Sequence, residues 1–504
     1  MTGPGPVLPP PPRERLLVGA ASGLILYLTF FRGATPIFPF PYGSNGIFFD
    51  EAARVRAGEV MYRDFFEFLA PGVVYLHALV LAMAGPSIRA VTVAMVMLGA
   101  TLAVLVHAVS ARICGAGWRL LPPAAFVILV YAPYVLGDHK WPALLCALAG
   151  LLVLAGRPPA PGSALAGGLL LGGSAAFTQD LGAGVMAGTV AFLAWRGTRP
   201  RSLLALVAGC AGPLVLAFAY FSWKAGARTV VYDWVLFPLQ RYPETNRAYF
   251  DLVPSLRTLP RELAQVVLGL SGTAAGIRTL FETRRARGRP ETEAAGLVAA
   301  AGLGMVAAMG HRGLYPMGIA VQASLLLPVL ARVLERAQGR GPRAVRLAGA
   351  SIVAITAAGL LHGSVGLLAW RQIFQRMTWE QHRAGAVWVS TPMPELTWVE
   401  ANTATGEGTF LMPAKGGHYF LSGTRNVTSF PYFIEGQNTA EQGRRALAEI
   451  AVARPRIGLW DERPWGRTTP GTNGPLAFLY DGIVRDYDVE PLPSGVLLLR
   501  RKER

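Results

Sequence analysis

The amino-acid sequence predicts a polytopic α-helical membrane protein with a smaller α/β domain toward its C-terminal end. Hydrophobic residues make up 52% of the 504 residues and charged residues only 15%, and the mean hydropathy is +0.38. This composition is too apolar for an ordinary soluble domain. Apolar runs follow one another up to residue 369, whereas residues 371–504 alternate strand-like and helix-like patterns. We therefore predict a membrane domain over 1–370 and an α/β domain over 371–504.

Eleven apolar runs are long enough to cross a bilayer if tilt and short loops are allowed for, since a span needs about 20 residues. They lie near residues 16–31, 91–109, 121–136, 141–155, 164–177, 182–195, 203–221, 262–277, 293–309, 315–331 and 347–369. No small-residue cleavage site follows the first run, so we expect an uncleaved span. The run Pro71–Gly85 is shorter, and we predict that it forms a helix at the membrane surface.

The formal net charge of +17 arises from arginines concentrated in short loops between the apolar runs, such as residues 278–289 and 332–346. Such loops face the cytoplasm in membrane proteins, and the arginines act as topology determinants. A nucleic-acid partner is therefore not expected. If Pro71–Gly85 does not cross, the pattern predicts a cytoplasmic N-terminus, with residues 32–90, 222–261 and the C-terminal region outside.

The first outward loop contains two adjacent carboxylates, Asp50 and Glu51, in the stretch FFDEAARV. On an amphipathic helix, Phe48 and Phe49 would rest on the membrane interface while Asp50 projects elsewhere. Acids at the start of a helix also stabilise its positive end, and this alternative stays open. We predict that the pair lies at the outer membrane face.

Further acids follow in a characteristic order. Glu67 stands in YRDFFEFLAPG ahead of a proline, and Asp138 stands in VLGDHKW between the third and fourth spans. This order resembles the C-type glycosyltransferases (GT-C fold), which include bacterial lipid A aminoarabinose transferases and protein O-mannosyltransferases. The resemblance covers most of the chain. It implies transfer of a sugar from a polyprenyl phosphate to an acceptor hydroxyl on the outer membrane face, with inversion of the anomeric centre.

The resemblance also implies roles for individual residues. Asp50 corresponds to the candidate base, Glu51 and Glu67 to acids that contact the substrate, and Asp138 to a residue that orients acceptor or sugar. One departure is the absence of the lysine often found after the first-loop glutamate. Carrier contacts are instead expected from His139, Lys140, Gln240, Arg241, Tyr242, His311, Arg312 and Tyr315. Lys140 and Arg312 are also the type of residue that anchors helix ends at lipid headgroups.

The expected partners are a polyprenyl-phosphate-linked sugar, a lipid, glycan or protein acceptor, and membrane lipids of the plasma (inner) membrane. A divalent cation stays open, because Asp50, Glu51, Asp138 and His139 mix oxygen and nitrogen ligands without a tight ligand spacing. The glycine-rich run GGLLLGG at 167–173 is more typical of close helix packing in lipid than of a binding site.

Three other classes of protein remain alternatives. An O-antigen-type polymerase or ligase would depend on outward arginines and histidines rather than on an acidic pair after the first span. A transporter is expected to place ionisable residues within its spans, and here the spans are nearly free of charge. A sensor or scaffold could use residues 371–504 to bind a partner.

Overall fold

The computed structural model describes residues 11–38, 44–134, 137–155, 159–240, 259–285, 288–309, 316–340, 343–413, 415–433, 438–461 and 477–503. These residues belong to two compact units. The described residues of Met1–Thr29, Met95–Ala217 and Tyr249–Phe374 form the first unit, and those of Phe30–Ala94, Phe218–Ala248 and Gln375–Arg504 form the second.

Helices account for most of the chain before residue 375. In chain order they are α1 (Pro12–Phe30), α2 (Ser44–Arg56), α3 (Gly72–Ala84), α4 (Ile88–Ile113), α5 (Leu121–Ala125), α6 (Lys140–Leu154), α7 (Pro161–Phe177), α8 (Gln179–Trp195), α9 (Pro200–Ala225), α10 (Ala227–Val231), α11 (Leu259–Arg285), α12 (Pro290–Met309), α13 (Pro316–Gln322), α14 (Leu327–Arg340) and α15 (Arg343–Ser364). Wider π-helical turns continue α5, α10 and α15 over Phe126–Tyr131, Tyr232–Leu236 and Val365–Phe374.

A helix is present at each of the eleven apolar runs. Among the described residues, five helices are by themselves long and apolar enough to cross a membrane, and they include α4, α9 and α11. A sixth span results if Pro316–Gln322 and Ser324–Gln338, which are bent by 57°, count as one. Several other helices are shorter than a full span, so the count of eleven crossings stays a prediction. The predicted surface helix is α3, which has 13 residues.

Glycines bring α7 and α9 into backbone contact within the first unit. A side-chain carbon placed on Gly168 would overlap the carbonyl oxygen of Leu206, and one placed on Gly172 would overlap that of Cys210. These two glycines are four residues apart and share one face of α7, as the GxxxG spacing predicts. The glycine-rich run is therefore a packing surface.

We expect Gly172→Leu to destabilise the protein by about 1–3 kcal/mol or more, because α9 has no room for an added side chain. Gly162 provides the matched control, since it lies on the same helix and a side-chain carbon there would meet nothing within 4 Å. Thermal unfolding in detergent should show a lower Tm for Gly172→Leu and little change for Gly162→Leu. Equal Tm values for the two variants would contradict the close packing of α7 on α9.

The second unit contains a mixed five-stranded sheet. Its elements are β3 (Thr378–His382), β4 (Gly385–Val389), α16 (Pro394–Asn402), β5 (Gly408–Met412), α17 (Gly416–Ser422), β6 (Arg425–Asn426), α18 (Ala440–Ala453), β7 (Ile457–Asp461), α19 (Ala477–Val484), β8 (Tyr487–Pro491) and β9 (Val496–Arg501). The strand order is β6-β5-β7-β9-β8, in which β5 is parallel to β6 and β7 while β9 is antiparallel to β7 and β8. Strands β3 and β4 form a separate hairpin, as do the short strands β1 (Phe31–Arg32) and β2 (Thr35–Pro36).

The sheet has an apolar core in which Leu411 of β5, Leu459 of β7 and Leu498 of β9 are all buried. Alternate residues of a strand point to opposite faces, so each of these strands contributes to the layer that packs against the helices. Tyr419 of α17 belongs to the same core, and its hydroxyl accepts a hydrogen bond from the backbone N–H of Leu411 at 2.5 Å. Helix α17 is thereby fixed on the sheet.

Candidate active site

Helix α2, which carries the acidic pair, is enclosed by protein within the second unit. It packs against α3 and α17. Gly416 at the start of α17 comes so near that a side-chain carbon there would lie 2.6 Å from the Cα atom of Ile47. Asp50 is 3% exposed and Glu51 is fully buried. Phe48 and Phe49, which the sequence analysis placed at the membrane interface, are buried as well, and α17 covers α2.

Glu51 forms a carboxyl pair with Glu67, whose charge acts on it, and among the described residues neither Glu51 oxygen has a hydrogen-bond partner. Glu67 Oε1 also accepts hydrogen bonds from the backbone N–H groups of Phe68 (2.7 Å) and Leu69 (2.9 Å), which favour its ionised form. Burial and the neighbouring charge of Glu67 raise the pKa of Glu51 well above its usual value. Burial raises the pKa of Glu67 as well, although these backbone hydrogen bonds oppose the shift.

Asp50 is in a different environment from its neighbour, because successive helical residues point about 100° apart. Burial raises the pKa of Asp50 to about 7, against the opposing charge of Arg54 and with a further contribution from Glu59. Its Oδ2 atom is buried and, among the described residues, has no hydrogen-bond partner. A carboxyl group with a pKa near neutrality can take up and release a proton under physiological conditions.

Arg54 and Tyr62 hold the segment that carries Glu67. Arg54 Nε lies 2.7 Å from Glu59 Oε2, and its Nη1 donates a hydrogen bond to the carbonyl oxygen of Thr428 at 3.1 Å. Tyr62 has a φ of 68°, which is uncommon for a residue other than glycine, and its hydroxyl donates to the carbonyl oxygen of Leu69 at 2.7 Å. The chain turns sharply between α2 and α3, and this turn places Glu67 beside Glu51.

The Asp138 group lies in the first unit, at the start of α6. Lys140 Nζ lies 3.0 Å from Asp138 Oδ1, and His139 Nδ1 lies 2.8 Å from the hydroxyl oxygen of Thr178. All three residues are buried. Burial alone would raise the pKa of Asp138, but the charge of Lys140 outweighs it and the pKa is lowered. Asp138 is therefore an ionised partner of Lys140.

The remaining predicted contacts are placed only in part. Gln240 is exposed at the end of the helical segment that follows α10. Five predicted residues lie outside the described part of the chain, namely Arg241, Tyr242, His311, Arg312 and Tyr315.

Several solved structures share this fold. ArnT from Cupriavidus metallidurans, bound to undecaprenyl phosphate, matches 97% of this chain over 98% of its own length, with a TM-score of 0.56 and 11% sequence identity. AglB, the oligosaccharyltransferase of Archaeoglobus fulgidus, in complex with an inhibitory peptide and a dolichol-phosphate, matches 97% of this chain over 74% of its own, with a TM-score of 0.51 and 11% identity. This chain has the GT-C fold.

A third GT-C structure, the arabinofuranosyltransferase AftD from mycobacteria, matches 100% of this chain at a TM-score of 0.51 and 14% identity. The match covers 41% of AftD, so this chain corresponds to less than half of that protein. No protein-family model matches the chain, and no curated protein matches it in sequence. The resemblance to GT-C proteins noted in the sequence is confirmed at the level of the fold.

The structure adds one acid to the GT-C candidate site that the sequence reasoning missed. Asp233 follows α10, and its electrostatic interaction with Glu67 places it near the carboxyl pair. Burial and the charge of Glu67 raise the pKa of Asp233 to about 7, while Arg445 opposes the shift. The available signal was a single acid within the apolar stretch VVYDWVLF.

A buried ionic cluster lies beneath α17, the helix that covers the acidic pair. Lys415 forms an ion pair with Asp461 at the end of β7, and its Nζ atom also lies 3.8 Å from Glu395 Oε1. His418 Nε2 lies 3.3 Å from the same Glu395 oxygen. All four side chains are fully buried. Two acids thus lie against one lysine inside the unit, and burial together with Lys415 lowers the pKa of His418 to about 4.

The described residues contain no group of three or more His, Cys, Asp or Glu side chains arranged to hold a metal ion. Asp50 and Glu51 therefore do not form part of a metal-binding group in this part of the chain. A divalent cation stays an open expectation of the sequence.

Proposed function

We propose that this GT-C chain is a glycosyltransferase that moves a sugar from a polyprenyl-phosphate donor to an acceptor hydroxyl. The observation that carries the proposal is Asp50, a buried carboxyl group with a pKa of about 7 in a chain of this fold. ArnT and AglB support the donor class, since their structures hold undecaprenyl phosphate and dolichol-phosphate.

Asp50 acts as the general base in this proposal. The acceptor hydroxyl gives its proton to Asp50 as its oxygen bonds to the anomeric carbon. On the opposite side of that carbon, the bond to the phosphate oxygen breaks and the polyprenyl phosphate leaves. Attack from the side opposite the leaving group inverts the anomeric centre and needs no nucleophilic carboxylate. An acceptor hydroxyl would also supply the hydrogen bond that Asp50 Oδ2 does not receive from the described residues.

The departing phosphate needs cationic partners. Lys140 would have to share its ammonium group between the phosphate and Asp138, which lies 3.0 Å away. Arg241 and Arg312 complete the proposed set, because a guanidinium fork matches two phosphate oxygens at once. Asp138 then positions Lys140 in addition to orienting the acceptor or the sugar.

The proposed topology has about eleven crossings, a cytoplasmic N-terminus and residues 371–504 on the outer side of the inner membrane. Support comes from the arginine-rich short loops and from the eleven helices at the apolar runs. Transfer would then take place at the outer face, where Asp50 and Glu67 lie. Labelling of a single cysteine introduced at exposed Asp488 by an impermeant reagent tests this orientation, and labelling only after membranes are opened would contradict it.

The direct test incubates the purified protein in detergent with a panel of radiolabelled polyprenyl phosphate sugars and measures which donor is consumed. We expect consumption of one donor class, with release of the polyprenyl phosphate. Sugar uptake into sealed vesicles, without consumption of any donor, would instead identify a transporter.

The rate of transfer is expected to rise with pH through about 7, because only the ionised form of Asp50 accepts a proton. Below this pKa the rate should fall about tenfold per pH unit, as the ionised fraction does. The charged groups that interact with Asp50 are Arg54, Glu59 and Glu51, and Tyr419 faces it from α17.

Asp233 has a pKa in the same range, so the pH profile of Asp233→Asn separates the two carboxyl groups. An inflection near pH 7 that persists in Asp233→Asn belongs to Asp50. Loss of the inflection in that variant would assign the titration to Asp233 and contradict the role of Asp50.

A further inference from the structure

A cavity of about 310 Å³ lies within the second unit, beside the segment that carries Glu67. Three parts of the chain contribute lining residues: 62–66 between α2 and α3, 229–233 of α10 and its continuation, and the described residues 429–430 and 439–445 before and within the first turns of α18. Small-molecule pockets occupy roughly 300–1,000 Å³, so this cavity has room for a small ligand.

Aromatic rings form much of the wall. Tyr62, Phe65, Phe66, Tyr232 and Phe430 all line the cavity, and the ring centroids of Phe66 and Phe430 are 6.1 Å apart. Flat aromatic surfaces present an electron-rich face that attracts C–H groups carrying a partial positive charge. The C–H face of a sugar ring is a ligand surface of this kind.

Asp233 is the buried acid of the cavity, which the polar residues Thr439, Glu441 and Gln442 also line. Asp233 is 7% exposed, and its side chain lines the cavity. The hydroxyl groups of Thr229 and Ser429 line the same space. A carboxylate is an acceptor with two oxygens, and it can bind two neighbouring hydroxyl groups at once. Hydrogen bonds to a charged group are stronger than those between neutral groups, so a ligand rich in hydroxyl groups fits this position.

The basic residues of the cavity are already paired. Arg445 Nε lies 2.9 Å from Glu449 Oε1 and its Nη2 lies 3.0 Å from Ser429 Oγ, while Arg63 Nη2 lies 2.7 Å from Asp64 Oδ2. Neither guanidinium is therefore an uncompensated charge that would select a phosphate. This charge balance favours a neutral ligand over an anionic one.

We propose that this cavity binds one ring of a neutral carbohydrate, with its hydroxyl groups on Asp233 and its C–H face on the aromatic wall. The sugar is the acceptor, or the acceptor's terminal residue, and this assignment rests on the proposed transferase function. It narrows the acceptor from lipid, glycan or protein to a glycan or glycolipid. Asp233 is then a specificity-determining residue, distinct from the base Asp50.

Binding is tested on the full-length protein in detergent with the methyl glycosides of glucose, galactose, mannose and arabinose. Tryptophan fluorescence reports on the site because Trp234 adjoins Asp233 and stacks on Tyr62 at a centroid distance of 6.4 Å. We expect a saturable change with at least one glycoside. Asp233→Asn should weaken that binding about tenfold or more, as loss of a hydrogen bond to a charged group does.

Two further variants provide a second test of the site and a control. Thr229→Val preserves the side-chain shape, removes one hydroxyl group and should also weaken binding. Asp488→Asn changes an exposed acid of β8 in the same unit and should leave binding unchanged. The proposal is overturned if no glycoside binds, or if Asp233→Asn and Thr229→Val both bind as the original protein does.

The transfer assay separates this proposal from the proposed function. Donor consumption that depends on the bound glycoside, with a raised acceptor KM in Asp233→Asn, supports both. Glycoside binding without any donor consumption contradicts the transferase and leaves a carbohydrate site. Donor consumption with a glycan acceptor whose KM is unchanged in Asp233→Asn contradicts the site and leaves the transferase.

Discussion

Replacement of Asp50 by Asn is expected to lower sugar transfer by about 100- to 10,000-fold, the usual contribution of a general base. The amide has nearly the same shape as the carboxyl group but cannot accept the acceptor's proton. The protein should still fold, because one oxygen of Asp50 has no hydrogen-bond partner among the described residues. The assay measures product formation under saturating donor, and separate binding of the polyprenyl phosphate should be unchanged.

Asp488→Asn is the control for this variant, since it makes the same chemical change at an exposed position of the same unit. It should transfer sugar at the original rate. An Asp50→Asn protein that works at full speed would exclude Asp50 as the base. Asp233, whose pKa is also near 7, would then be the next residue to test.

Loss of Asp461 is expected to destabilise the second unit by about 3–5 kcal/mol, because Asp461→Ala leaves the buried Lys415 without its nearest counter-charge. Glu395 is the remaining acid and lies 3.8 Å from the ammonium group. Chemical or thermal unfolding of the purified protein in detergent measures the loss. The apolar double variant Lys415→Met/Asp461→Leu removes both charges of this ion pair and leaves Glu395 with His418, 3.3 Å away, so it should be less destabilised than the single variant.

Asp488→Ala serves as the stability control, because surface substitutions usually change stability by no more than about 0.5 kcal/mol. If Asp461→Ala unfolds at the same temperature as Asp488→Ala, the ion pair with Lys415 contributes nothing measurable. If the double variant is less stable than Asp461→Ala, the packing of the Lys415 and Asp461 side chains, rather than their charges, stabilises this part of the core.

The positions of the helices could be predicted from the sequence because each depends on a local apolar run. The runs near 203–221 and 262–277 became α9 and α11, and Pro71–Gly85 became the short helix α3. The same holds for residues 371–504, where the stretches RIGLWDE and GVLLLRR form β7 and β9. Periodicity along the chain carries this information.

The burial of the acidic pair could not be predicted, because it depends on partners far away in the sequence. Nothing near Asp50 indicates that α17, more than 360 positions later, covers α2. A local pattern of aromatic and charged residues is the same for a helix on a membrane and for a helix under another helix. The difference lies in Gly416, whose missing side chain lets the two backbones meet.

The pairing of Glu51 with Glu67 is a second property that only the folded chain shows. The sequence placed both acids in one loop, but their pairing depends on the turn that Tyr62 and Arg54 hold. Asp233 was missed because a single acid in an apolar stretch has no distinctive spacing. Its significance comes from the cavity that it lines with residues of two other segments.

The contact between Gly416 and Ile47 makes the acidity of Asp50 a long-range property of the polypeptide. Truncation before residue 375 would remove α17, which covers α2, and would expose the carboxyl group of Asp50 to water. The pKa of Asp50 should then return toward the ordinary value of an aspartate, near 4. A truncated protein would keep Asp50 but lose its raised pKa. Residues 375–504 are therefore needed for the acid–base property of a residue far away in the sequence.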